Sequence, residues 1–145
     1  MKKFIFIGIL IGFFVSKEIK ADIAYVSLHD IDSIAKIDTS TGTLLSIIPL
    51  IDNTPATILN PIAPGVAALG PVGIDVRSDG KYVFVACEIS NHVAIYNTIN
   101  EDISLVSLVR ELLPGEVPNP WELVSNYSGN KIYIACRGVA PIPPG

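Results

Sequence analysis

From Asp22 onward the chain alternates short apolar runs with clusters of Gly, Ser, Thr, Asn and Asp, the pattern of many strands at regular spacing. Ile23 to Leu28 predicts a first strand. Ser33 to Asp38 predicts a second, which the turn Thr39-Ser40-Thr41-Gly42 returns into a third over Thr43 to Pro49. Further on, Val72 to Arg77 alternates, which places Val72, Ile74 and Val76 on one face. Ser78-Asp79-Gly80 then makes a tight turn, with Gly80 supplying the positive φ. Lys81 to Cys87 is almost continuously apolar, as expected of a strand covered on both faces. His92 to Asn97 and Ile103 to Val109 complete a group of four. In the last of these Leu105, Leu108, Val109 and Leu112 also fit helical spacing, and the strand reading is taken because the repeat requires it. Trp121 to Asn126 and Lys131 to Cys136 replay the first hairpin around Tyr127-Ser128-Gly129.

The replay is measurable. A shift of 49 residues lays Pro71 to Cys87 on Pro120 to Cys136 with four identities, Pro, Gly, Ala and Cys, where about one would arise by chance in a stretch of that length. A shift of 59 lays Ala24 to Asp38 on Val83 to Asn97, with Val26 on Val85 and Ala35 on Ala94. The difference between the shifts falls in residues 51–70, where Pro55, Pro61 and Pro64 deny ladder hydrogen bonds and block a long helix. That segment is expected to be a largely apolar surface excursion, either functional or a tolerated insertion.

Gly70-Pro71-Val72-Gly73-Ile74-Asp75-Val76-Arg77-Ser78-Asp79-Gly80-Lys81-Tyr82-Val83-Phe84-Val85-Ala86-Cys87, with Val93-Ala94-Ile95-Tyr96-Asn97, resembles the YVTN-type β-propeller repeat of exported bacterial and archaeal proteins. Ser33 to Gly42 is similar to its third strand and exit turn. The resemblance implies an all-β chain of four-stranded antiparallel blades: residues 22–50 as blade one, 51–70 as a Pro-rich insertion, 71–109 as blade two and 120–136 as a partial blade three. About nine strands, or two and a quarter blades, cannot close a ring of about four to eight. A fragment or truncated form of a longer propeller is therefore the expectation. Completion by partner chains is the other possibility, and open blade edges invite self-association.

Composition adjusts this picture in two places. Lys2 and Lys3 precede the apolar run Phe4 to Val15, and a polar stretch follows to Ala21, which reads as a signal peptide over residues 1–21. Twelve apolar residues fall short of the roughly 20 that span a bilayer. The expected location is exported, periplasmic or at the cell surface, with no membrane span after cleavage. Removing four Lys and one Glu from 10 basic and 14 acidic residues leaves 6 and 13, a net charge of −7. A surface of that sign repels phosphate backbones, which argues against nucleic acid.

Candidate chemistry is sparse. Cys87 and Cys136 hold equivalent strand positions, with Leu28 at the matching place in the first repeat. A disulfide between them is conceivable in an exported protein, but the Cα limit of roughly 7 Å favours two buried thiols. The resemblance places Ile23 to Leu28 and Lys81 to Cys87 alike as the second strand of a blade, so the chain begins at a second strand. The loops that follow, Leu28 to Asp32 and Glu88 to Asn91, are where a propeller presents side chains near its axis. His29, Asp32, Glu88 and His92 are accordingly the candidate ligand contacts. No close Cys or His spacing indicates a metal, His29-Asp30-Ile31-Asp32 lacks the rest of an EF-hand, and neither a phosphate loop nor a nucleophile elbow is present. No cofactor is implied. Asn126-Tyr127-Ser128 matches a glycosylation sequon but falls in the expected turn, and Trp121 and Tyr133 are read as packing residues. The expected function is a binding or interaction module for a protein or small molecule. The alternative is part of a lactonase-like or quinoprotein-like propeller enzyme whose active residues lie elsewhere.

Overall fold

A computed structural model describes residues 22–55, 62, 64–108 and 117–138. Within them the chain forms nine strands and one short 3-10 turn at His29–Ile31. Strands β1 (Ile23–Leu28), β2 (Ser33–Asp38) and β3 (Thr43–Pro49) make a three-stranded sheet in that order. Strands β4 (Pro71–Val76), β5 (Tyr82–Cys87), β6 (His92–Asn97) and β7 (Ile103–Ser107) make a four-stranded sheet, and β8 (Pro120–Ser125) pairs with β9 (Ile132–Cys136). All pairings are antiparallel between chain neighbours, as hairpin turns dictate. The signal-peptide stretch, residues 1–21, lies outside the described residues, as do Val109 and Leu112. Among the described residues no helix is long and apolar enough to cross a membrane.

The three sheets stack face to face, and β5 shows what holds them. Val83, Val85 and Cys87 join Ile34 of β2, Leu50, Ala68, Ala94, Tyr96, Ile103 and Leu105 in one core layer between the first and second sheets. On the other face of β5, Phe84 and Ala86 join Val93 and Leu123 in a second layer between the second and third sheets. Each fully buried Val contributes about 1.5–3 kcal/mol by transfer from water, so the doubly covered β5 anchors the array. Tyr25 meets Tyr96 edge to face across the first layer, with ring centroids 6.2 Å apart.

The strict alternation expected of the fourth strand breaks. In β4, Pro71 pairs with Cys87 but Ile74 with Val85, so one extra residue is accommodated over Val72-Gly73. This bulge sends Val72 to the layer with the third sheet, whereas Ile74 packs in the layer with the first. The expectation that both share one face is corrected: a bulge shifts the two-residue period by one. The same bulge recurs in β8, where Pro120 pairs with Cys136 and Glu122 with Ala135, leaving Trp121 as the extra residue.

The described parts of the Pro-rich excursion pack onto the array. Ile51 bridges Ala67, and Ala68 N–H donates to Leu50 carbonyl at 2.8 Å. Leu50 and Ala68 are completely buried in the first core layer, and Ile62 packs against it. Asp52, 1 % exposed, accepts the Leu105 N–H at 3.1 Å through Oδ2, while Asn53 Oδ1 accepts the Ile103 N–H at 2.6 Å. These bonds attach the chain leaving the first sheet to β7, the outermost strand of the second.

Candidate functional site

The repeat-equivalent strands β1, β5 and β9 end at the same rim, and the residue that follows each of them projects there. These residues are His29, Glu88 and Arg137, separated in sequence by the two repeat shifts of 59 and 49. They meet. His29 Nε2 lies 3.1 Å from Glu88 Oε1, and the Arg137 guanidinium donates to Glu88 Oε2 at 2.8 Å. Both Glu88 oxygens are thus engaged, one by each neighbouring sheet. His29 Nδ1 also lies 3.1 Å from Asp30 Oδ1. Hydrogen bonds that Asp30 and then Glu88 accept from the ring hold the His29 pKa above its ordinary value.

Beyond the ion pairs, the Arg137 guanidinium stacks on the Trp121 ring at 3.3 Å from its centroid. Trp121 is placed there by the β8 bulge and remains 41 % exposed. Next to it Ser27, His29, Pro71, Val72, Gly73, Trp121 and Glu122 line a cleft of about 320 Å³. Gly73 is required at its wall, because a Cβ there would stand 2.8 Å from Glu122 Cα and 2.8 Å from the Trp121 carbonyl oxygen. Ser27 Oγ closes the other side by donating to the Val72 carbonyl at 2.8 Å.

The structure brings His29 and Glu88 together and gives Asp32 and His92 different work. Asp32 stands at φ 50° and its Oδ1 accepts the Gly70 N–H at 2.8 Å, tying the rim loop of the first sheet to the entry of β4. Asn91, its repeat equivalent at φ 56°, accepts the Asn119 N–H at 2.8 Å and ties the second rim loop to the entry of β8. Asp32 is a clasp residue. His92 opens β6, opposite Cys87, and its Nδ1 is buried with no hydrogen-bond partner. Arg137 and Trp121 are the residues that sequence reasoning missed. Arg137 was within reach, since adding the second shift to Glu88 lands on it, whereas the exposure of Trp121 depends on a bulge.

Cys87 is fully buried, and burial pushes its thiol pKa up to about 12, so it is no thiolate at neutral pH. Cys136 is exposed, which corrects the expectation of two buried thiols: among the described residues β9 has β8 beside it and no third strand over it. The two are unbridged, and by alternation each faces the preceding sheet, so the second sheet stands between their side chains. Among the described residues no group of three or more His, Cys, Asp or Glu is arranged to hold a metal ion. The sequon residue Asn126 spends its side chain on the turn, accepting from the Asn130 and Lys131 N–H groups at 3.0 Å each.

No protein-family model matches the chain, and no curated protein matches it. Among solved structures the chain is similar to virginiamycin B lyase from Staphylococcus aureus, with 18 % identity and a TM-score of 0.53 over 80 % of this chain and 31 % of the other. It is also similar to a protein from Lactobacillus plantarum, with 20 % identity and a TM-score of 0.47 over 80 % of this chain and 35 % of the other. The chain therefore spans about a third of the length of these proteins. The first likeness establishes the fold: an all-β, unclosed array of antiparallel sheets of the kind that β-propellers are built from.

Proposed function

We propose that this chain is an exported β-propeller segment of YVTN-like repeats that serves as a binding module, and that ligands meet it at the rim formed by His29, Glu88, Arg137 and Trp121. The observation that carries this reading is the convergence of one residue from each of three consecutive blades onto a single ion-pair network beside an exposed tryptophan. The arrangement suits recognition more than reaction. Glu88 has both oxygens occupied and is not a free base, and of the two strand-end thiols Cys87 is sealed in the core while burial raises the pKa of both. Arg137 is half exposed and already holds one carboxylate. A planar group bearing a carboxylate would find the guanidinium for its charge and the indole for its ring.

Trp121 is the chain's single tryptophan, so its fluorescence reports on this rim alone. Titration with benzoate is expected to produce a saturable change that Arg137→Ala abolishes and Thr41→Ala, in a distant turn, leaves intact. A response that is absent, or indifferent to Arg137, would overturn the reading. Export is tested separately in a bacterial host: the expected product lies outside the cytoplasm with Asp22 at its N-terminus, and cytoplasmic chain beginning at Met1 would refute it. The alternative of a lactonase-like or quinoprotein-like enzyme gains no argument from the likeness to a lyase, which at 18 % identity speaks for fold alone.

A further inference from the structure

We infer that the two outer faces of the three-blade array are the two halves of one contact, through which a second copy of the chain docks head to tail. Tyr25, Phe84 and Tyr133 occupy the same repeat position and are aromatic in every blade. Val26, Val85 and Ile134 occupy the next position and are aliphatic in every blade. Within the chain the aromatic residue of one blade twice packs into the layer that contains the aliphatic residue of the following blade: Tyr25 with Val85, and Phe84 with Ile134. At the ends the same positions stand uncovered among the described residues. Val26 is 43 % exposed where Val85 is 0 %, and Tyr133 is 59 % exposed where Phe84 is 5 %.

The neighbours extend each half into a surface. Val124, 56 % exposed, lies opposite Tyr133 across β8 and β9, and Ile47, 50 % exposed, lies in one row with Ala35 and Val26. Each molecule thus carries an aromatic-bearing face at one end and an aliphatic-bearing face at the other, and the chain itself demonstrates twice that such faces mate. A second copy supplies both shapes in the required orientation. The contact is heterologous, so successive copies extend the stack until its rotation closes or continues as a filament. The inference is independent of what binds at the rim.

Sedimentation velocity on the chain as recovered from cells, over a range of concentrations, tests this. Wild type is expected to form species larger than a monomer, and Val26→Lys and Tyr133→Lys are each expected to weaken association by about tenfold or more. An equimolar mixture of the two variants retains one sound face of each kind. It is expected to give a 1:1 dimer and nothing larger. Circular dichroism verifies that the variants are folded, and the gentler Val26→Thr and Tyr133→Ser replace any that are not. A wild-type monomer at every concentration, an oligomer indifferent to both faces, or a mixture that stays monomeric would overturn the inference. Capture of an unrelated protein on a monomeric chain would assign the faces to a different partner and overturn it equally.

Discussion

Short polar residues at positive φ do much of the joining between blades. Asp32 tolerates the left-handed conformation because its side chain is small and polar, and the same side chain accepts the Gly70 N–H. Asp32→Ala is expected to lower stability by about 1–3 kcal/mol in urea denaturation, through the lost acceptor and the strained φ together. Asp32→Asn keeps both properties and should be close to wild type. Asp79 accepts from Arg77 Nε at 2.7 Å and from its terminal nitrogen at 2.6 Å, which lowers its pKa from 3.8 to about 2. A carboxyl whose folded pKa is depressed stabilises above its unfolded value and loses that contribution as pH falls through the folded one. Asp79→Asn should therefore lower the thermal midpoint at neutral pH, by a difference that shrinks below 3.8 and vanishes near 2. His29 has the opposite sign. Its raised pKa means that the bonds to Asp30 and Glu88 together stabilise fully below 6.5 and fade as pH rises through the folded value. The gap in thermal midpoint between wild type and His29→Ala is expected to be widest on the acid side and to close on the alkaline side.

At the scale of the element, β5 and β4 show what an apolar pattern can and cannot tell. Lys81 to Cys87 reads as a strand covered twice, and β5 is covered twice, because an unbroken run of apolar residues leaves no face for water. Phe84→Ala, which empties the layer between the second and third blades, should cost about 3–5 kcal/mol and be visible in urea denaturation. The alternation of Val72, Ile74 and Val76 misled, because a bulge is set by how the paired strand accommodates one extra residue and leaves no mark in the hydrophobic period. Gly73 was the available hint. Its lack of a side chain lets β4 approach the backbone of β8. Gly73→Ala is expected to force these strands apart at a cost of about 1–3 kcal/mol, and, by shifting Trp121, to move its fluorescence emission. Leu105 and Leu108 were ambiguous between helix and strand. Pairing of β7 with β6 decides for strand over Ile103–Ser107.

Across the whole molecule the three sheets follow the repeat. Their likeness to a lyase of which the chain covers 31 % extends to the fold and stops there. The excursion after the first sheet, legible only as Pro-rich and apolar, contributes Ala68 to the core beside Leu50 and fastens the outer strand β7. The rim brings His29, Glu88 and Arg137 into one network although they are 59 and 49 residues apart. Of the four residues expected there, His29 and Glu88 meet, Asp32 is drawn into the blade-to-blade clasp, and His92 enters β6.

The sequence by itself determined the strands found among the described residues, their order and their antiparallel pairing, because hairpin register follows from local turns and from the alternation of neighbouring residues. It also set the equivalence of His29, Glu88 and Arg137, since a repeat is a property of spacing. Only the tertiary structure decided that these three touch, that Trp121 lies open beneath Arg137, that Cys87 is sealed while Cys136 is exposed, and that Tyr133 and Val26 stand bare at opposite ends. Each of those outcomes depends on how closely one sheet approaches the next, and no local pattern encodes that distance.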